Sequence, residues 1–131
     1  MNEGRTDNGK REDGRKRTGR IGEDAACRAL TDAGYTIVER NWRCRSGEID
    51  AIASWDDKLV FVEIRTRREG GRYGTAAESV DIRKQRKVAL LSQYYMRERR
   101  LGEVPVRFDV VAVLLGRGDE IVELKHYAGA F

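Results

Sequence analysis

The sequence predicts one α/β domain over residues 21–131, a mixed sheet with helices packed against it. Three observations carry that expectation. Two segments place apolar residues at helical spacing, five others alternate at the two-residue period of a strand or run apolar throughout, and short polar turns join neighbouring strands. No internal repeat or second unit interrupts the order helix, three strands, helix, strand, strand. A sheet covered by helices is how such a set buries its apolar faces.

From Ile21, Ala26, Cys27, Leu30 and Ala33 share one stripe opposite Asp24, Arg28 and Asp32, an amphipathic helix that stops near Ala33-Gly34. Tyr35-Thr36-Ile37-Val38 opens a strand running toward Trp42. Gly47 leads into a second strand, Glu48 to Ser54, and Trp55-Asp56-Asp57-Lys58 turns it antiparallel into a third, Leu59 to Arg67. Residues 68–79 read as a glycine- and arginine-rich loop. Asp81 is placed to cap a long helix reaching about Arg100, with Val88, Ala89, Leu91 and Tyr95 in its apolar stripe. After Pro105 come an apolar strand, Val106 to Leu115, a turn at 116–119, and a last strand, Glu120 to Lys125.

Composition narrows the function classes. No apolar run approaches the ~20 residues needed to span a bilayer. The polar, basic start lacks the apolar block of a secretory signal, so a cytoplasmic protein is expected. Cys27, Cys44 and the lone His126 lack metal-type spacing and are too few for a zinc site, and free thiols are expected. The formal net charge is +4, and residues 1–20 hold seven basic against four acidic side chains, leaving a surplus of one for the rest. This Gly-, Lys- and Arg-rich tail has no apolar anchor and is expected to be disordered. It is either a solubilising terminus or a weak phosphate-attracting arm.

The chemical signal lies in VFVEIRTR, Val60 to Arg67. Glu63 and Arg65 share a face with Leu59 and Phe61, where an isolated charge is costly to desolvate. The preceding GEIDAIA puts Glu48, Asp50 and Ile52 on one face. Because the two strands are neighbours in a hairpin, Asp50 and Glu63 can project together. Adjacent carboxylates repel unless a cation lies between them. Arg65 supplies one positive charge, and a hard divalent cation such as Mg²⁺ or Mn²⁺ supplies more. Glu23 and Gln85 sit in the apolar stripes of the two helices and converge on the same region.

Each residue has a plainer reading. Glu23 suits the positive end of a helix, Gln85 a partly exposed helix surface, Glu63 and Arg65 a salt bridge, and Asp109 a local pairing with an arginine. The joint pattern favours a metal centre.

GEDAA with Glu23, RNWRCRSGEIDAIA, VFVEIRTR and RFDVVAV, in that order and spacing, resemble the YraN family of small bacterial proteins, from Ile21 to about Tyr127. That family is similar to the PD-(D/E)xK nuclease superfamily and to archaeal Holliday-junction resolvases. The resemblance implies a restriction-endonuclease-like core. It also implies Asp50 as the first acid, Glu63 as the acid of the E-x-K element, Glu23 as the acid of the first helix and Gln85 as a helix glutamine, with Glu48 a further candidate beside Asp50. A Mg²⁺ or Mn²⁺ ion held by Asp50, Glu63 and the Ile64 carbonyl would then serve phosphodiester hydrolysis. Arg65 stands where the family pattern has lysine. Arginine grips phosphate with two donors but cannot accept a proton from water. The chain is therefore either a nuclease or a nucleic-acid-binding protein of the same fold with little or no cleavage.

Arg67, Arg68 and Arg72 lead into the glycine-rich loop, while Lys84 and Lys87, with Arg83 and Arg86, crowd the start of the second helix. These are candidates for a phosphate track, most simply along DNA, against the alternative of ordinary solvated charge. No base-reading motif is present, so backbone and shape would dominate recognition. A homodimer is an open expectation, since junction-cleaving relatives need paired sites, although no dimer motif is visible.

Overall fold

A computed structural model describes residues 13–70 and 80–131 of the chain. Its elements run α1 (Gly14–Asp32), β1 (Thr36–Cys44), β2 (Gly47–Trp55), β3 (Lys58–Arg68), α2 (Ile82–Glu98), β4 (Val106–Leu115) and β5 (Ile121–Tyr127). This is the expected order, in one mixed sheet of spatial order β1-β2-β3-β4-β5. The β1–β2, β2–β3 and β4–β5 pairs are antiparallel, and β3–β4 is parallel, with α2 in the crossover between them. Parallel neighbours need such a long connection, whereas β2 and β3 turn in two residues. Asp56 and Asp57 both take positive φ there, the backbone that matches the twist of a tight hairpin.

The helices lie on opposite faces of the sheet. Ala26, Cys27 and Leu30 of α1 pack with Ala51, Ala53, Val60, Val62, Val111 and Val113. Val88, Leu91 and Tyr95 of α2 pack with Ile49, Ile52, Leu59 and Phe61. Along β3, Val60 and Val62 therefore face α1 while Leu59 and Phe61 face α2. This double burial explains why the strand reads as a continuous apolar run. Among the described residues, no helix is long and apolar enough to cross a membrane.

One boundary differs from the sequence reading. Residues 14–20, assigned to the disordered tail, form the first two turns of α1. They carry no apolar stripe and are held by polar contacts instead. Asp13 accepts the N–H groups of Arg15 and Lys16, Arg17 pairs with Asp119, and Thr18 accepts from Arg68 Nε at 2.9 Å. The rest of the tail and the loop residues 71–79, Arg72 among them, lie outside the described residues.

Two local features fix the frame. Gly22 is where α1 touches β3: a Cβ there would come within 1.9 Å of Thr66 Oγ1 and 2.7 Å of Thr66 Cβ. At the far side of β4, the Asp109 carboxylate is fully buried and fully engaged. It accepts from Arg107 through two nitrogens at 2.8 Å and from the Gly129 N–H at 3.0 Å, with His126 Nε2 at 2.7 Å. Burial alone would push its pKa up, but these partners, Arg107 foremost, hold it below the usual value. The local arginine pairing expected for Asp109 is present, and it ties the C-terminal segment to the sheet.

Gly22→Ala should cost stability although alanine favours a helix by about 1 kcal/mol. The clash with a β-branched neighbour costs about 1–3 kcal/mol, so chemical denaturation should show a net loss, partly restored by Thr66→Ala. Asp109→Ala, which strands Arg107 in a half-buried site, should cost roughly 3–5 kcal/mol in the same assay.

Candidate metal centre

The β2–β3 ladder has its last paired residues at Ala51 and Val62. The next positions are Asp50 and Glu63, and there a side chain replaces the main-chain ladder: Asp50 Oδ2 accepts the Ile64 N–H at 2.8 Å. A strand residue directs its N–H and C=O to the same neighbour, so the Ile64 carbonyl faces the same gap. Ile49 and Ile52, three residues apart, both belong to the α2-side cluster. The two-residue alternation therefore breaks around Asp50, and the single face expected for Glu48, Asp50 and Ile52 does not form. Across the ladder, Asn41 has a left-handed φ of 53°. The turn lets the consecutive side chains of Arg40 and Asn41 both reach α1, at Asp24 and Glu23. Asparagine tolerates that backbone better than most residues.

Glu63 is 2% exposed. Its Oε1 lies 3.3 Å from Lys84 Nζ, while its buried Oε2 has no hydrogen-bond partner among the described residues. Desolvation by burial is the main cause raising the Glu63 pKa to about 7, and the neighbouring Asp50 pushes the same way against Lys84 and Arg65. Burial likewise lifts Asp50 to about 6. The Ile64 N–H and Lys84 oppose that rise, and Glu23 and Glu48 add to it. The two acids act on each other as a pair, and both resist ionisation.

The remaining sequence candidates are distributed around this pair. Glu23 stands at its rim, with Oε1 3.3 Å from Asn41 Nδ2 and 3.8 Å from Arg40. Glu48 is half exposed and bound to Arg43 at 2.8 Å, close enough for its charge to act on Asp50 but outside the buried pair. Arg65 makes no direct ion pair with Glu63, and its charge still favours the ionised form. Gln85 turns away: its Nε2 donates to the Val80 carbonyl at 2.8 Å, closing the first turn of α2.

Of the basic residues, Lys84 belongs to the acid pair itself, and the stem of Lys87 crosses the β1–β2 turn, where a Cβ on Gly47 would lie 3.2 Å from its Cε. Arg68 is bound to Thr18, the Gly116 carbonyl and Asp119 at 2.7 Å, so it has structural partners in addition to its place in the basic run. The sequence reading missed Arg40 and Asn41 as partners of Glu23, and it missed the contact of Lys84 with Glu63. The signal for Lys84 was its spacing, four residues before Val88 on the stripe that faces the sheet.

Among the described residues, no three carboxylate, imidazole or thiolate side chains converge to hold a metal by themselves. The donor set is two carboxylates with a main-chain carbonyl beside them. The unpartnered Glu63 Oε2 fits a hard cation, which needs oxygen ligands and tolerates water in the remaining positions.

Fold and site together define an α/β protein with an acid pair, Glu63 buried and Asp50 half-buried, at the end of the β2–β3 ladder of a mixed sheet. The model of the Uncharacterised protein family UPF0102 matches residues 22–113, and the chain belongs to that family, the one to which the YraN resemblance pointed. A UPF0102 protein of Rhodococcus opacus (strain B4) is 50% identical over 113 residues, covering 86% of this chain and 94% of the relative. One from Moorella thermoacetica is 46% identical over 117 residues, covering 89% and 97%. One from Symbiobacterium thermophilum is 51% identical over 98 residues, covering 75% and 82%.

The raised Glu63 value sets a pH dependence. A carboxyl that keeps its proton longer when folded adds stability that is complete below the unfolded value of 4.5 and is lost as pH climbs through about 7. Urea denaturation of the metal-free protein should show stability falling between pH 5 and 8, by on the order of 3 kcal/mol from Glu63. Glu63→Gln should flatten that fall, and an equally steep profile in the variant would remove Glu63 as its cause.

Proposed function

We propose that this chain is a nucleic-acid-binding protein with a divalent-metal-dependent phosphodiesterase centre, a DNA endonuclease-like site on a restriction-endonuclease-like PD-(D/E)xK core. The observation that carries the proposal is the buried Oε2 of Glu63 beside Asp50, which has no partner among the described residues. A buried acceptor left without a partner costs about 1–3 kcal/mol. Protonation removes the charge but leaves a buried hydroxyl with no described acceptor. A cation between the two carboxylates satisfies both. Asp50, Glu63 and the Ile64 carbonyl would hold Mg²⁺ or Mn²⁺, as their oxygen chemistry suits a hard ion. When bound, such an ion supplies Lewis acidity toward a phosphate oxygen and lowers the pKa of an attacking water.

The chain's own residues have separate tasks. The Ile64 N–H fixes one oxygen of Asp50, so the carboxylate is aimed before any ligand arrives. Glu23, held by Asn41 and Arg40, keeps negative charge at the rim and favours cation entry. Arg65 offers two donors to a phosphate at the end of the buried strand. Arg67, Lys84 and Lys87 extend positive charge along β3 and the start of α2, a backbone-reading surface without base-specific contacts. DNA, linear or branched, is the substrate class this surface suits, and a paired site in a homodimer would serve a junction.

A second reading rests on one residue. Arg65 occupies the lysine position of the E-x-K pattern and cannot accept a proton, so a protein that needs a base there would bind nucleic acid and cut it slowly or not at all.

Linear, single-stranded and four-way-junction DNA incubated with Mg²⁺ or Mn²⁺ separate the readings. Wild-type cleavage should fall by at least about 100-fold in Asp50→Ala. Cleavage that persists unchanged in Asp50→Ala sinks the proposed centre. If Arg65→Lys cuts and the wild type only binds, the second reading holds.

A further inference from the structure

Lys84 occupies a position where packing alone would not put a lysine. It stands one turn before Val88 on the stripe that continues through Leu91 and Tyr95, all buried against the sheet. Its backbone is fixed twice over. Asp81 accepts the Lys84 N–H at 2.8 Å, and the neighbouring Gln85 side chain anchors to the Val80 carbonyl at 2.8 Å. The side chain is not fixed in the same way. It is 42% exposed, and among the described residues its ammonium pairs with one oxygen of Glu63, at 3.3 Å. The other oxygen has no partner among the described residues. One ammonium thus stands against a buried carboxylate and a half-buried one, satisfying half of the first.

Resting on the metal-centre reading above, we propose that Lys84 is a tethered counter-ion. It holds Glu63 while the metal is absent, gives the carboxylate up when a divalent cation binds, and carries its charge to the phosphate of the arriving nucleic acid. Three physical points support the exchange. A divalent cation on Glu63 repels an ammonium at ion-pair distance, and in a site of low dielectric that repulsion is strong. The exposed head and long stem give Lys84 somewhere to go without moving α2. The direction of release is toward the solvent-facing side, where Lys87 lies along the β1–β2 turn. Arg65 cannot play this part, because it makes no ion pair with Glu63 to release. The two cations of the site then have different roles: Arg65 a standing phosphate donor, Lys84 one that becomes available only in the metal-loaded protein.

Competition for one carboxylate is a negative coupling, so removing the competitor must strengthen the other ligand. Calorimetric titration of the full chain with Mn²⁺ should give roughly fivefold or greater tightening in Lys84→Met. Lys84→Arg, which keeps the charge, should stay near wild type, and so should Lys87→Met, which removes a nearby charge that does not touch Glu63. Equal tightening in Lys84→Met and Lys87→Met would reduce the effect to general electrostatics and overturn the inference. So would unchanged or weaker binding in Lys84→Met. The release step is read with short duplex DNA in Ca²⁺: the gain in DNA affinity on adding the ion should shrink in Lys84→Met, and an unchanged gain overturns that step. If neither the wild type nor Lys84→Met binds Mn²⁺ while both melt cooperatively, the metal reading itself falls, and this inference with it.

Discussion

The hydrogen bond from the Ile64 N–H to Asp50 is the contact on which the site depends. A central hairpin would ordinarily continue its ladder beyond Ala51 and Val62, with main-chain groups meeting main-chain groups. Here an aspartate side chain takes the donor instead, and the two strands can part without leaving the N–H orphaned in the interior. The ladder's end at this point leaves Asp50 and Glu63 near enough for their charges to act on each other. Without the substitution of side chain for ladder, Glu63 would be an acid buried in a closed sheet, a placement with a large desolvation penalty and no return. The parallel β3–β4 pairing, unbroken from Leu59 to Arg68, holds the other side of the strand rigid. The opening is therefore confined to one edge of β3.

How far this was legible in the sequence follows from the range of each interaction. Element order and the β2–β3 hairpin were readable because periodicity and turn residues are local, and Asp81 was recognisable as a cap from its position alone. The acid pair was readable because Asp50 and Glu63 are expensive in apolar surroundings wherever the strands pair. What failed was anything set by side chains crossing between elements. The first two turns of α1 depend on Arg68 and Asp119, 50 and 102 residues from their partners Thr18 and Arg17, and their own sequence has the composition of a tail. Gln85 shares a stripe with core residues, yet a local bond to the Val80 carbonyl claims its amide. Arg68 looked like its neighbours in a basic run and is instead a three-way tie between α1, β3 and the β4–β5 turn. The broken alternation around Asp50 follows a single left-handed residue, Asn41, on the partner strand, which no period count within β2 could reveal.

The fold also contains its own control for the functional reading. Asp109 and Glu63 are both buried acids in the central strands, and the chain provisions them in opposite ways. Asp109 has Arg107 gripping both oxygens, with His126 and the Gly129 N–H filling the remaining acceptor sites. Its ionised form is favoured against the pull of burial, and its surroundings leave no room for a ligand to improve on them. Glu63 has one half-exposed lysine on one oxygen, no partner among the described residues on the other, a second acid beside it, and an ionised form that is disfavoured. A sequence that satisfies one buried carboxylate completely has the means to satisfy another. Val62, whose register partner is Asp109, and Glu63 are adjacent residues, so proximity is not the constraint. The deficit at Glu63 is specific to the place where the sheet opens. The shortfall there is one of positive charge beside carboxylate oxygens, and the proposed divalent cation would make it good.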